Sequence, residues 1–325
     1  MSSKPLSIAH VCEILATRDN FTLLCHAQPD GDTVGSAYAL GYALKELGKT
    51  VKILCADEIP QKFRFITDSF INEESKNGTI ISLDVADPKL MGKYCDVFEG
   101  MVEIAIDHHI SNVNYSKYLL LDSSASATCE IVYEIVKELC VPMSKEILSA
   151  LYTGIVTDTG CFKFSNTTAR THIIAAELIN LGVDYAEINR LMFDNKSRQR
   201  VKLEGAVMDN IEYYCGGKVS VITLSRNIIE NSGCDESELE GINALSRTIE
   251  GVVVGITIKE RPTGTKKISL RTNAPLNAME ICREFGGGGH ERAAGCSFAD
   301  CSIEDVKVQL LEVVKRKLEE AGCQI

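Results

Sequence analysis

The chain has 325 residues, enough for two hydrophobic cores of ordinary size, and its 45% hydrophobic and 24% charged content fits a folded globular protein rather than a disordered one. A net charge of −11, from 45 acidic and 34 basic residues, excludes a binder of long duplex nucleic acid, which needs lysines and arginines to neutralise many phosphates. No apolar run is long enough to span a bilayer and no basic-then-apolar leader opens the chain, so a cytoplasmic protein without a membrane partner is expected.

The 13 cysteines are odd in number and include no C-x-x-C pair, which speaks against a disulfide framework or a zinc ribbon. They read as small buried hydrophobes in a reducing compartment.

Along the first half, short apolar runs alternate with helical patterns, the rhythm of an α/β domain with a mostly parallel sheet flanked by helices. Residues 21–26 read as a buried strand and 33–47 as a helix stopped by Gly48; 51–55, 79–84 and 102–107 read as further strands. Three of these strands end in a His or an Asp. In open α/β sheets ligands bind beyond such strand ends.

Helical patterns dominate 127–181, and 186–211 reads as a charged amphipathic stretch that links two domains as a helix. From Glu212 the pattern restarts, with strands near 219–224, 252–259 and 267–272 and helices near 277–284 and 303–322, a smaller α+β domain. The expected organisation is a catalytic, metal-binding domain over 1–190, a helical linker over 191–211 and a substrate-binding domain over 212–325, with the active site in the cleft between them.

The first chemical cluster is His26, Asp30 and Asp32, on a Pro- and Gly-containing turn followed by Gly35 and Ser36. One imidazole and two carboxylates on one short segment can ligate a cation. The same segment also reads as a polar turn in which Asp32 caps the next helix. Asp84 ends a strand, Asp107-His108-His109 follows another, and Asp158 sits between Gly154 and Gly160, where small residues leave room. Together these side chains carry enough oxygen and nitrogen donors for two divalent cations about 3.5–4 Å apart that share one bridging carboxylate.

In the second half, Gly286, Gly287, Gly288 and Gly289 precede His290 and then Ala293-Ala294-Gly295. Consecutive glycines permit backbone conformations in which successive N–H groups point into one concavity and hold a phosphate, with His290 as an added donor. Arg271 ends a predicted strand and can clamp a phosphate bidentately. Residues 123–128 read as the N-cap of the helix that follows, and His10 and His172 as structural.

These residues resemble, in order and spacing, the motifs of the DHH phosphoesterase superfamily: His26-x-x-Pro-Asp30-x-Asp32 with Gly35-Ser36, then Asp84, Asp107-His108-His109 and Asp158. The segment from Phe285 to Gly295 resembles the signature of the accompanying carboxyl-terminal domain, so the likeness spans nearly the whole chain. Size and plan are similar to the bacterial branch that degrades short oligoribonucleotides and dephosphorylates 3′-phosphoadenosine 5′-phosphate (pAp).

The resemblance implies a metal-dependent hydrolase of phosphoester bonds. His26, Asp30 and Asp84 would hold one Mn²⁺, and Asp32, Asp84, His108 and Asp158 the other, with Mg²⁺ as a substitute. Asp107 would orient His108, His109 would reach the scissile phosphate, and the second domain would close on the substrate. Short RNA and pAp rank first as substrates. The alternative is linear or cyclic di-adenylate, and behind it stand a RecJ-type exonuclease, a pyrophosphatase and an inactive nucleotide-binding module. The inactive module would lack a ligand, yet every position is filled. A homodimer is compatible with the chain.

Overall fold

The computed structural model describes residues 3–74, 78–239 and 241–323, and the chain divides into two compact units, 1–195 and 196–325.

The first unit runs β1 (Lys4–Pro5), α1 (Ile8–Thr17), β2 (Phe21–Leu24), α2 (Gly31–Glu46), β3 (Val51–Leu54), the short α3 (Arg64–Thr67), β4 (Thr79–Leu83), β5 (Ile104–Asp107), β6 (Tyr118–Leu121), α4 (Thr128–Glu138), α5 (Lys145–Asp158), α6 (Ala169–Asn180) and α7 (Tyr185–Asn189). Its strands form one parallel sheet in the order β1-β6-β5-β4-β2-β3. The inner strands β2, β4 and β5 are buried along their whole length, as parallel strands covered on both faces must be.

Helix α2 is buried almost throughout, from Gly31 to Leu44, and packs against α4 and α5. Close approach requires glycine at two points. A Cβ on Gly35 would stand 2.5 Å from the Ala150 carbonyl oxygen, and one on Gly154 would stand 2.2 Å from Cys129 Sγ and 2.8 Å from Asp32 Oδ1. This tight contact brings the end of α5, with Asp158, up to the start of α2, with Asp32.

The stretch 186–211, expected as one linking helix, is interrupted. A π-type turn, Arg190–Asp194, continues α7, Asn195 is extended, and Ser197 caps a new helix, α8 (Arg198–Asp209). Ser197 Oγ accepts from the Arg200 amide and restarts the helix.

The second unit continues with β7 (Glu212–Tyr214), β8 (Val219–Leu224), α9 (Arg226–Ser232), β9 (Val254–Glu260), β10 (Lys266–Thr272), α10 (Ala278–Arg283), β11 (Gly288–Gly289), β12 (Ala293–Phe298) and α11 (Ile303–Glu320). Its mixed sheet has the order β11-β12-β10-β9-β8-β7, and only β8 and β9 are parallel. One face carries a core with α10 and α11. Over the β8 end of the other lies a second cluster that includes Leu203, Val207, Ile222 and Leu224. Among the described residues no helix is long and apolar enough to cross a membrane.

Candidate metal centre

In the first sheet β2 lies between β4 and β3, so the chain leaves β2 to one side and returns on the other, which opens a crevice beyond the carboxyl ends of β2 and β4. His26 follows β2. Asp30 caps α2: its Oδ1 accepts from the amides of Asp32 at 3.0 Å and Thr33 at 3.1 Å. The cap is therefore Asp30, and Asp32 is left in the first helical turn, 1% exposed. Asp84 ends β4 at φ 61°, a left-handed conformation that a non-glycine residue keeps only where its surroundings impose it.

His26 Nε2 lies 3.5 Å from Asp30 Oδ1 and 3.7 Å from Asp84 Oδ2. His108 Nε2 lies 3.7 Å from Asp84 Oδ1, 3.6 Å from Asp158 Oδ2 and 3.9 Å from Asp32 Oδ2. Asp84 turns one oxygen to each imidazole. In each of the sets His26–Asp30–Asp84 and Asp32–His108–Asp158, the ligand atoms lie within 4.8 Å of one another, a span that one cation can fill.

The ring orientations fit metal ligands. His26 Nδ1 is 2.8 Å from the Ala27 carbonyl and His108 Nδ1 is 3.2 Å from the Ala125 carbonyl. A carbonyl only accepts, so each Nδ1 carries the hydrogen and each Nε2 faces the carboxylates. His108 Nε2 is buried without a hydrogen-bond partner. A buried lone pair among three carboxylates is costly unless a positive charge sits between them.

The electrostatics agree. Burial first, then the Asp84 and Asp158 charges, push the pKa of Asp32 well up, and burial with Asp84 raises Asp158 to about 7. Burial opposes charge on His26, yet its hydrogen bonds to Asp30 and Asp84 raise it to about 11. In the metal-free chain protons offset the crowded carboxylates, as cations would in the loaded one.

Asp107 is fully buried and acts on a different ring from the one expected. Its Oδ1 accepts from the His108 amide at 2.8 Å, the His109 amide at 3.2 Å and His109 Nδ1 at 2.8 Å, and its Oδ2 accepts from Asn112 Nδ2 at 2.7 Å. It orients the His109 ring, because the adjacent His108 ring turns away to Ala125. The hydrogen bond to Asp107 raises His109 to about 9, and the His109 side chain is 40% exposed.

Two residues at the start of α4, Thr128 and Cys129, were not legible as site residues. Thr128 Oγ1 donates to Asp84 Oδ1 at 2.9 Å, while the amides of Thr128 and Cys129 donate to Asp32 at 2.6 and 2.9 Å. The residue before α4 is Ala127, which offers no side-chain cap. The expected cap within 123–128 is replaced by a carboxylate from 96 residues upstream.

Residues 20–155 match the N-terminal domain of the DHH family and residues 216–320 match the DHHA1 domain. The bifunctional oligoribonuclease and PAP phosphatase NrnA of Thermus thermophilus is 33% identical over 320 residues, 96% of this chain and 94% of that one. The chain belongs to the DHH family. The NrnA of Bacillus subtilis is 28% identical, over 86% of this chain and 89% of its own. An exopolyphosphatase-related protein from Bacteroides fragilis shares the fold, with a TM-score of 0.84 at 24% identity over 96% and 95% of the two chains. As a DHH phosphoesterase the chain is a hydrolase of phosphoester bonds, and enzymes of this family depend on divalent metal ions.

In the DHHA1 unit, Arg271 is half-buried in β10, and Nη1 donates to the Leu270 carbonyl at 3.0 Å. The glycine run differs from the expected cradle. The amides of Gly286, Gly287 and His290 donate to the carbonyls of Arg283, Cys282 and Ala293, while Gly288 and Gly289 form β11 beside Gly295 and Ala294 of β12. Successive free N–H groups are therefore absent from this segment. Glycine is needed for contact: a Cβ on Gly287 would meet the Gly295 oxygen at 2.3 Å, and one on Gly289 the Ala293 oxygen at 2.6 Å. His290 is exposed at the end of this hairpin.

Proposed function

We propose that this DHH enzyme hydrolyses short oligoribonucleotides to mononucleotides and pAp to AMP with two divalent cations, Mn²⁺ first among them. The carrying observation is Asp84, which faces His26 with one oxygen and His108 with the other. His26, Asp30 and Asp84 hold one cation; Asp32, Asp84, His108 and Asp158 hold the second. Carboxylates and imidazoles without thiolate suit Mn²⁺. The substrate class follows the names of the relatives of matching length.

Bound cations supply Lewis acidity, which ionises water near neutral pH and neutralises charge on the phosphoryl oxygens. The chain's own groups do the rest. Asp107 fixes the His109 ring through Nδ1, and this hydrogen bond favours the charged ring, whose Nε2–H can donate to a phosphate oxygen of the bond being cleaved. Arg271, with His290 and the side-chain-free surface of Gly286 to Gly289, holds the phosphate that is not cleaved. Residues 1–190 form the metal-binding half and 212–325 the substrate-binding half. A reducing cytoplasm suits the thirteen free cysteines.

The test is a substrate panel with Mn²⁺: pAp, pApA, cyclic di-AMP, and RNA from dinucleotides to about 25 nucleotides. Fastest turnover on pAp and the shortest RNA is expected. Turnover confined to cyclic di-AMP or pApA would favour the di-adenylate reading instead.

A further inference from the structure

Helix α5 ends at Asp158, and the chain then turns back on itself: Gly160, Cys161 and Phe162 have φ of 55°, 58° and 62° in succession. Two consecutive non-glycine residues keep this left-handed conformation only where their surroundings hold them. The amides of Lys163 and Phe164 donate to the Thr159 carbonyl at 2.9 and 3.0 Å, and Asn166 Nδ2 donates to the Asp158 carbonyl at 3.1 Å. The Phe162 ring stacks on His172 with centroids 5.0 Å apart, which fastens the turn to α6.

This turn lays the Phe164 ring over Gly160. A Cβ on Gly160 would stand 2.4 Å from Phe164 Cζ and 2.6 Å from both Cε1 and Cε2. Near-equal distances to three ring atoms put Gly160 beneath the face of the ring rather than at its edge, and Phe164 is 50% exposed. One face is thus seated on backbone and the other is open. The exposed aromatics Phe65 and Tyr185 of the same unit lie in α3 and α7, whereas Phe164 stands over a residue two positions from Asp158, no more than about 7 Å along the chain. A nucleobase offers a flat π face whatever its identity, joined to its phosphate through one ribose, and stacking on an aromatic side chain holds it without reading its edges.

We infer that the open face of Phe164 is the platform on which a nucleobase of the substrate stacks while its phosphate lies at the metal centre. The inference rests on the reading that the substrates are nucleotides. It makes Phe164 the residue that separates nucleotides from phosphoesters without a base, and a stacked base is accepted whatever its sequence identity.

The chain has no tryptophan, so Phe164→Trp places a single fluorescent reporter at the platform. Its emission should be quenched on saturation with AMP and not with ribose 5-phosphate, while turnover of pAp is kept. Phe164→Leu, which fills the space over Gly160 without a π face, should lower kcat/KM on pAp about tenfold and on ribose 3,5-bisphosphate, the same substrate without adenine, less than about twofold. Equal losses on the two substrates, or an unchanged kcat/KM on pAp, would overturn the platform, as would unaltered emission at an AMP concentration that calorimetry shows to be saturating. Should Phe164→Leu not fold, the tryptophan titration decides by itself. Emission quenched by AMP in a chain that hydrolyses neither pAp nor short RNA would contradict the proposed function and leave the stacking platform standing.

Discussion

Asp84 Oδ2 meets His26 Nε2 at 3.7 Å, and this pairing leaves Oδ1 turned toward His108. A carboxylate shared in this way would touch both cations of the proposed centre, so Asp84→Asn should abolish turnover by orders of magnitude while the fold survives. Asp30→Asn and His108→Ala should be nearly as damaging. Retention of more than about a tenth of wild-type kcat at saturating Mn²⁺ would remove Asp84 from the bridge.

Thr128→Val removes the hydroxyl that donates to Asp84 Oδ1 and keeps the shape of the side chain. Outer hydrogen bonds to metal ligands are worth about 10- to 100-fold in affinity or activity. A loss in that range is expected, with the amide contacts to Asp32 intact and Tm little changed. An unchanged Mn²⁺ affinity together with an unchanged kcat would show that Thr128 does not position Asp84.

Much of this centre was legible because its ligands sit at strand ends and turns, where apolar runs stop at His26, Asp84 and Asp107. Local pattern also gave the parallel sheet and the later strands β8, β9 and β10. It missed β6, a four-residue strand, and β12, where Ala293, Ala294 and Gly295 have no strand preference and owe their pairing to β10. Thr128 and the α4 cap were hidden because their partners lie far off in sequence. The glycine run misled for a related reason: its amides bond to carbonyls whose positions only the hairpin fixes.

Metal binding should release protons. Asp158 has its folded pKa raised from 3.8 to about 7, and Asp32 is raised as well, so in the metal-free chain both favour the folded state at low pH and lose that contribution as pH rises through the folded values. His109, raised to about 9, stabilises below its unfolded value of 6.5 and loses this as pH climbs to 9. Asp158 lowers metal-free stability as pH rises from 3.8 toward about 7 and His109 does so from 6.5 toward about 9, and at the higher pH a cation has fewer carboxyl protons to displace. The gain in Tm on adding Mn²⁺ should be larger at pH 8 than at pH 5.5; equal gains would contradict the linkage.

Arg271→Ala should leave Mn²⁺ affinity unchanged and cost roughly 2–4 kcal/mol in kcat/KM on pAp, the scale for losing a charge-assisted bidentate phosphate contact. On bis-p-nitrophenyl phosphate, which has no second phosphate, the loss should be much smaller. Equal losses would assign Arg271 to the reacting phosphate or to the fold.

Activity should fall steeply as RNA lengthens, because a grip on a terminal phosphate does not track a long backbone, and the net charge of −11 repels one. Comparable rates on dinucleotides and on RNA of about 25 nucleotides would favour a long-strand exonuclease.

The most direct measurement is the Mn²⁺ content and electron paramagnetic resonance spectrum of the purified chain after equilibrium dialysis. Two ions per chain with the signature of an exchange-coupled pair are expected, with the coupling lost in Asp84→Asn. One ion per chain, or two uncoupled ions unaffected by Asp84→Asn, would contradict a two-cation centre bridged by Asp84.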